Sequence, residues 1–314
     1  MADIGGTHAR LARWSAASGL DTPERVSNDD YAGPVELLDA WFERHPAASR
    51  QLLLALAMPV GGDTTTLTNR AWQFEPVTLI SVLKLDALVI VNDFAAAAAG
   101  IDALAPHETR RLNPDVGVPV RSTRLVLGPG TGLGAAAILA GNPPRVMASE
   151  AGHMTFASAD AFTERLAADG RRRWGRVSWE RVLCGDGLAW IDAVLRGASQ
   201  SDAPASVARR ANAGDSTALE AVDMFSRLLG EFAGDLCLAF QAIEGVYLCG
   251  GVLNGVQSTF DAGGFLAAFA DKGRFSTQLA RVPCFLVVGH ELGVHGAARY
   301  LAGRCRMPSV EWTA

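Results

Sequence analysis

Asn92 and Asp93 stand between four apolar residues, Leu88-Val89-Ile90-Val91, and the run Phe94 to Ala99 with its five alanines. A polar pair at the end of an expected strand is placed where a substrate would meet a sheet, and a helix N-terminus just after it favours a carboxylate there. Asp and Asn also cap helices, so Asp93 reads equally as a site residue or as the cap of an alanine helix. Further on, Glu150 and His153 lie three residues apart, and Glu180 follows Ser178-Trp179. Glu150 and His153 could be a metal pair on a helix, but Gly152 between them and the lack of a second such pair oppose that. Glu180 is also adequately explained as an acid in the first turn of a helix capped by Ser178.

Three glycine stretches stand out, and the first two could hold phosphate, although a plain hairpin turn is the commoner explanation of any Gly-Gly pair. Asp3-Ile4-Gly5-Gly6-Thr7 places a Gly-Gly turn before an expected strand at 9–14, a hairpin whose tip bares backbone N–H groups. Gly128-Pro129-Gly130-Thr131-Gly132-Leu133-Gly134 follows an expected strand at 123–127. The spacing Gly130-x-Gly132-x-x-Ala135, with Glu150 about twenty residues on, imitates a dinucleotide fingerprint. That fingerprint needs a long helix, and Gly141-Asn142-Pro143-Pro144 stops the chain too early. A second hairpin is therefore expected. Gly250-Gly251 closes an expected strand starting at Gly245.

These residues need a sheet to hold them. The run before Asn92 reads as a strand buried on both faces, and Ala favours the helix after it. In open α/β sheets ligands meet the carboxyl ends of such strands. Helices are expected at 35–42, 217–243, 265–270 and 294–301, and strands at 51–57, 64–69 and 282–288. Residues 106–123 are rich in turn formers and read as a surface connection. Each half shows a glycine hairpin followed by strands and helices, which suggests an internal duplication with a cleft between the halves.

With 314 residues and about half of them hydrophobic, the chain suits two lobes. A net charge of −5 disfavours nucleic acid as the main partner, and Arg171-Arg172-Arg173 reads as a solvated face. Five cysteines without a C-x-x-C pair suit reduced thiols and oppose a disulfide framework or zinc cluster. No signal peptide or membrane span is expected.

Taken in order, Asp3-Ile4-Gly5-Gly6-Thr7, Gly128 to Gly134 and Gly250-Gly251-Val252 resemble the two phosphate loops and the adenosine loop of the actin–hexokinase–Hsp70 superfold. With Val91-Asn92-Asp93-Phe94, Glu150-x-x-His153, Trp179-Glu180-Arg181-Val182-Leu183 and the closing Gly293 to Ala298 stretch, the chain resembles the bacterial glucokinase family over nearly its whole length. No cysteine follows His153 until Cys184, so it resembles the zinc-free branch. Two departures stand out. His8 occupies a position where Asn is common, and little effect is expected. Only Met1 and Ala2 precede Asp3, where the family has a full apolar strand, so the native chain is expected to start upstream of Met1.

The resemblance implies an α/β fold: a two-lobed actin-like ATPase, a duplicated ribonuclease H-like fold with a central cleft. Residues 1–103 and 294–314 would form a smaller lobe and 104–293 a larger one. It implies transfer of the ATP γ-phosphoryl group to the 6-hydroxyl of glucose, with ATP and Mg²⁺ required. Ala2, Asp3, Ile4, Gly5, Gly6, Thr7, Gly130, Thr131, Gly132, Gly250 and Gly251 would bind nucleotide, and Asp3 would hold Mg²⁺ through water. Asn92, Asp93, Glu150, His153 and Glu180 would bind the sugar, Asp93 being the base, with Asn69 a further contact. A cytoplasmic homodimer without nucleic-acid or membrane partners is implied. A kinase for another hexose and a weakly catalytic sugar sensor of the same fold remain alternatives, as does an oxidoreductase built on 130–135.

Overall fold

The apolar run before Asn92 forms strand Ala87–Asn92, which turns directly into helix Asp93–Gly100. This is seen in a computed structural model that describes residues 1–56, 65–66, 72–117, 119, 121–288 and 291–313. The chain divides into two units, one of residues 1–105, 138–148 and 289–314, the other of 106–137 and 149–288.

In the first unit, strand Ala87–Asn92 is central to a sheet ordered Ser309–Thr313, Ala87–Asn92, Gln51–Leu56, Ala2–Ile4, His8–Leu11, Glu24–Ser27. The three strands from Ala87–Asn92 to Ala2–Ile4 are parallel, and His8–Leu11 returns antiparallel from the Gly5-Gly6 turn. Val, Ile and Leu dominate them because both faces are covered. Leu37, Leu38, Trp41 and Phe42 of helix Pro34–Arg44 and Leu79 and Leu83 of helix Pro76–Leu83 share a core with Ile4, Leu54, Leu56 and Ile90. Strand Ala2–Ile4 pairs with Leu54–Leu56 on one side and with Ala9–Leu11 on the other. A cavity of about 430 Å³, lined by Met1, Leu11, Trp41, Phe42, Leu52 and Val89 among others, lies in this unit.

The second sheet is ordered Thr109–Arg111, Cys284–Val287, Gly245–Leu248, Arg124–Pro129, Leu133–Leu139, Arg145–Ser149. The first is antiparallel to the second, and the next two pairings are parallel. The five strands from Ser309–Thr313 to His8–Leu11 in the first unit have the same order and directions: antiparallel edge, two parallel strands, then a glycine hairpin. That recurrence is the signature the duplicated sequence pattern suggested. Helix Ser216–Phe240 crosses the core, Phe225, Leu229, Phe232 and Leu236 packing with Phe265 and Phe269 of helix Ala262–Ala270 and with Leu125, Val246 and Leu286 of the strands.

Two expectations are corrected. The connection at 106–123 contains strand Thr109–Arg111, whose polar residues carry no hydrophobic alternation, as is common at an exposed sheet edge. The strand after the first hairpin ends at Leu11, and Trp14–Ser15 pairs separately with Gly19–Leu20. Arg171 to Arg173 are exposed in the last turn of helix Ala161–Trp174, with Arg172 and Arg173 paired to Asp169 at 3.1 and 2.7 Å, so they form a solvated helix end. All five cysteines are unbridged and buried, and burial pushes the Cys237 and Cys249 thiols up to about 12. Among the described residues no helix is long and apolar enough to cross a membrane.

Candidate active site

Register fixes the expected site residues that the first unit carries. Asp3 pairs with Ala55 and Ala55 with Val91, so Asp3 and the Asn92-Asp93 corner sit at the same carboxyl edge, two strands apart. At ~4.8 Å per strand spacing they are separated by about 10 Å, room for a phosphoryl group and an attacking hydroxyl. Asn92 is the helix cap: its Oδ1 accepts from Ala95 N at 2.9 Å. That overturns the reading of Asp93 as the cap. Asp93 occupies the first helical position, half-buried, with Oδ1 accepting from Phe94 N at 2.7 Å. The helix N-terminus favours its ionised form. Replacing Asn92 with Ala removes the cap and is expected to cost about 1 kcal/mol of stability, whereas Asp at this position keeps it. Chemical denaturation measures this, and an unchanged midpoint in Asn92→Ala would show that the cap contributes nothing.

At the hairpin tip, Gly5 N donates to His8 O at 3.1 Å. The fully buried Asn28 braces the turn, donating from Nδ2 to Gly5 O at 2.8 Å and from its backbone N to Thr7 O at 2.9 Å. Asp3 is mostly buried, its Oδ2 3.7 Å from Arg10 Nη1. Burial pushes the Asp3 carboxyl up, and the Arg10 guanidinium opposes that shift. Arg10 faces Asp3 because the hairpin pairs them directly. The sequence reading missed Arg10, although the hairpin register alone would have found it.

The second unit holds a further group of the expected site residues. Gly130–Gly132 is the tip between strands Arg124–Pro129 and Leu133–Leu139, with Gly130 N donating to Gly132 O at 2.8 Å. No helix follows these glycines, which removes the dinucleotide fingerprint. Gly250 has φ of +107°, and a Cβ there would lie 2.5 Å from Pro129 O. Glycine is therefore required where the third loop presses on the stem of this hairpin.

Glu150, His153 and Glu180 come together. His153 Nε2 lies 3.8 Å from Glu150 Oε2, and His153 Nδ1 lies 3.9 Å from Glu180 Oε1. A single turn, Ala151–His153, sets the first two. Glu180 is set by its neighbours: Ser178 caps the turn, and Trp179 is buried with its ring 5.0 Å from Phe156 and 5.3 Å from Phe232. Glu180 Oε2 accepts from Leu133 N at 3.0 Å, so a residue of the expected sugar set is tied to the foot of a phosphate hairpin. Leu133 O faces Gly152, where a Cβ would come within 2.6 Å. These two anchors could not be read from the sequence, because both use the backbone of Leu133. Asn69, the further contact expected from the sequence, lies outside the described residues.

The family model described as Glucokinase matches residues 1–304. A curated protein named Glucokinase from Aromatoleum aromaticum is 37% identical over 313 residues, covering 96% of this chain and 93% of that one. The "Bifunctional protein glk" of Paraburkholderia xenovorans is 32% identical over 96% of this chain, and the match spans only 48% of that longer relative. Among solved structures, a glucokinase from an Antarctic psychrotroph aligns with a TM-score of 0.79 at 28% identity, covering 96% of this chain and 98% of that one. The fold is accordingly the mixed α/β, actin-like ATPase fold.

Proposed function

The chain belongs to the glucokinase family, and from that membership we propose that it phosphorylates glucose on the 6-hydroxyl with ATP, releasing glucose 6-phosphate and ADP. The observation that carries this reading is Asp93 at the carboxyl edge of the sheet, two strands from Asp3 and its glycine hairpin. Phosphoryl transfer asks little covalent chemistry of the protein; it asks for alignment and charge stabilisation. The hairpin tips Gly5-Gly6-Thr7, on strand Ala2, Asp3 and Ile4, and Gly130-Thr131-Gly132 cradle the phosphates, Gly5 N and Gly130 N shaping the tips through their bonds to His8 O and Gly132 O. Gly250 and Gly251 let the backbone approach the adenosine.

Asp93 accepts the proton of the 6-hydroxyl while the new O–P bond forms and the bond to the ADP oxygen breaks. A carboxylate is too weak a base to remove that proton beforehand. Asn92 Oδ1 accepts one hydrogen bond in its cap, and its amide nitrogen is of the type that can donate to a sugar hydroxyl. Glu150, His153 and Glu180 offer acceptors and an imidazole to the ring hydroxyls. A sugar lacking one of these hydroxyls leaves a polar partner unpaired and is rejected.

The residues also suit Mg²⁺. Among the described residues no group of three or more His, Cys, Asp and Glu side chains could hold a metal. One buried carboxylate at a phosphate hairpin fits Mg²⁺, which keeps most of its water and is held by one or two carboxylates plus the nucleotide's own phosphates. Asp3 is the carboxylate that would hold the ion, through water. When bound, the ion neutralises charge on the phosphates. Homodimer assembly and a cytoplasmic setting complete the proposal on the strength of the family.

A coupled ADP-release assay over a panel of sugars tests the function. Glucose-dependent ADP release is expected, with little release without sugar; release independent of sugar would refute it. A second measurement addresses the sugar set. Gly152→Ala is expected to raise the KM for glucose by roughly tenfold or more, because its methyl pushes the Ala151–His153 turn off Leu133. An unchanged KM would mean that the turn does not position Glu150 and His153.

A further inference from the structure

Helix Leu292–Leu301 brings the closing part of the chain against Asp3. Its second residue, Gly293, lies against Asp3. A Cβ at Gly293 would sit 2.5 Å from Asp3 Oδ2, 2.7 Å from Asp3 Cγ and 3.3 Å from Asp3 Cβ. The Asp3 carboxylate therefore fills the volume that any side chain at 293 would need. Arg10 stands 3.7 Å from the same oxygen. The carboxylate thus meets both a guanidinium and the N-terminal turn of a ten-residue helix, both of which attract negative charge.

The same helix is pressed onto helix Asp93–Gly100. A Cβ at Gly296 would fall 1.7 Å from Ala96 O, and one at Gly100 would fall 2.2 Å from Leu292 O. The backbones touch with no side chain between them, so the two helices have little freedom to slide. Asp93 opens one of them, and Asp3 packs on the other. Both carboxylates at the sheet edge are thus referenced to one rigid helix pair.

We propose that Gly293 is a positioning residue that sets the direction in which Asp3 presents its carboxylate to the metal–nucleotide, while leaving the sugar contacts untouched. This rests on the role given above to Asp3. The contrast between the two glycines gives it a test. A methyl at 293 meets the end of one side chain, which can rotate away; a methyl at 296 meets backbone, which cannot. Gly293→Ala is therefore expected to fold normally with its Asp3 turned, and Gly296→Ala to lose thermal stability.

The experiment compares Gly293→Ala, Gly296→Ala, Asp3→Asn and the Asp3→Asn/Gly293→Ala double variant. ADP affinity is measured by calorimetry with Mg²⁺ and with chelator, glucose affinity likewise, Tm by calorimetric melting, and kcat across a Mg²⁺ titration. For Gly293→Ala the expectation is wild-type Tm and glucose affinity, loss of most of the Mg²⁺-dependent tightening of ADP, and kcat lower by roughly 10²-fold. The double variant should then be no worse than Asp3→Asn alone. Wild-type Mg²⁺-dependent ADP affinity and kcat in Gly293→Ala would overturn the proposal. So would a fall in Tm matching that of Gly296→Ala, since the backbone and not the carboxylate would then have moved. Near-normal kcat in Asp3→Asn would instead remove the role given to Asp3.

Discussion

Asp93→Ala should lose roughly 10²- to 10⁴-fold in kcat, the range that a positioned general base supplies, while binding glucose within a few-fold of wild type. The fold should survive, because the cap of helix Asp93–Gly100 belongs to Asn92 and not to the residue removed. The sugar should still bind, because Glu150, His153 and Glu180 belong to other elements that are fixed by their own anchors. Asp93→Asn should be as slow as the alanine variant, since the amide keeps the shape but cannot take the proton. Coupled ADP release gives kcat and titration calorimetry gives glucose affinity. Turnover near that of wild type in either variant would take Asp93 out of the chemistry.

Glu180→Ala should be the second large effect, with kcat/KM for glucose down by roughly 10²- to 10³-fold. Two losses combine. A carboxylate hydrogen bond to a ligand hydroxyl contributes about 1.5–3 kcal/mol, and Leu133 N loses the acceptor that holds the foot of the second phosphate hairpin. The ATP KM should therefore rise together with that for glucose, although Glu180 is expected to touch only the sugar. Glu180→Gln is the informative partner: its amide oxygen can still accept from Leu133 N, so the ATP KM should recover while the glucose KM stays high. An ATP KM unmoved in Glu180→Ala would mean that Leu133 does not link the two ligands.

The parts of the site that were legible in the sequence are those that chain punctuation reveals. Gly5-Gly6 precedes an expected strand, and the stretch after Gly130–Gly132 is too short for a crossover helix, so hairpins were expected, and hairpins formed. Leu88 to Val91 are apolar without a break because both faces of strand Ala87–Asn92 are covered, and the alanines after Asp93 form the helix their propensity favours. The choice between Asn92 and Asp93 as cap was not legible, because either residue type serves and only one can occupy the position with extended backbone. Strand Thr109–Arg111 was missed because an edge strand needs no apolar face. Gly152 and Gly293 were missed as positioning residues for a different reason. A glycine that matters through the space it leaves gives no signal until the neighbour filling that space is known.

The most direct test is a crystal structure of the wild-type protein with glucose and a non-hydrolysable ATP analogue. A carboxylate oxygen of Asp93 is expected within about 2.6–3.2 Å of the glucose 6-hydroxyl oxygen, with that oxygen in line with the γ-phosphorus and the nucleotide phosphates on the Gly5–Thr7 and Gly130–Gly132 backbones. A 6-hydroxyl pointing away from Asp93, or a different hydroxyl presented to the phosphorus, would contradict the central role given to this aspartate.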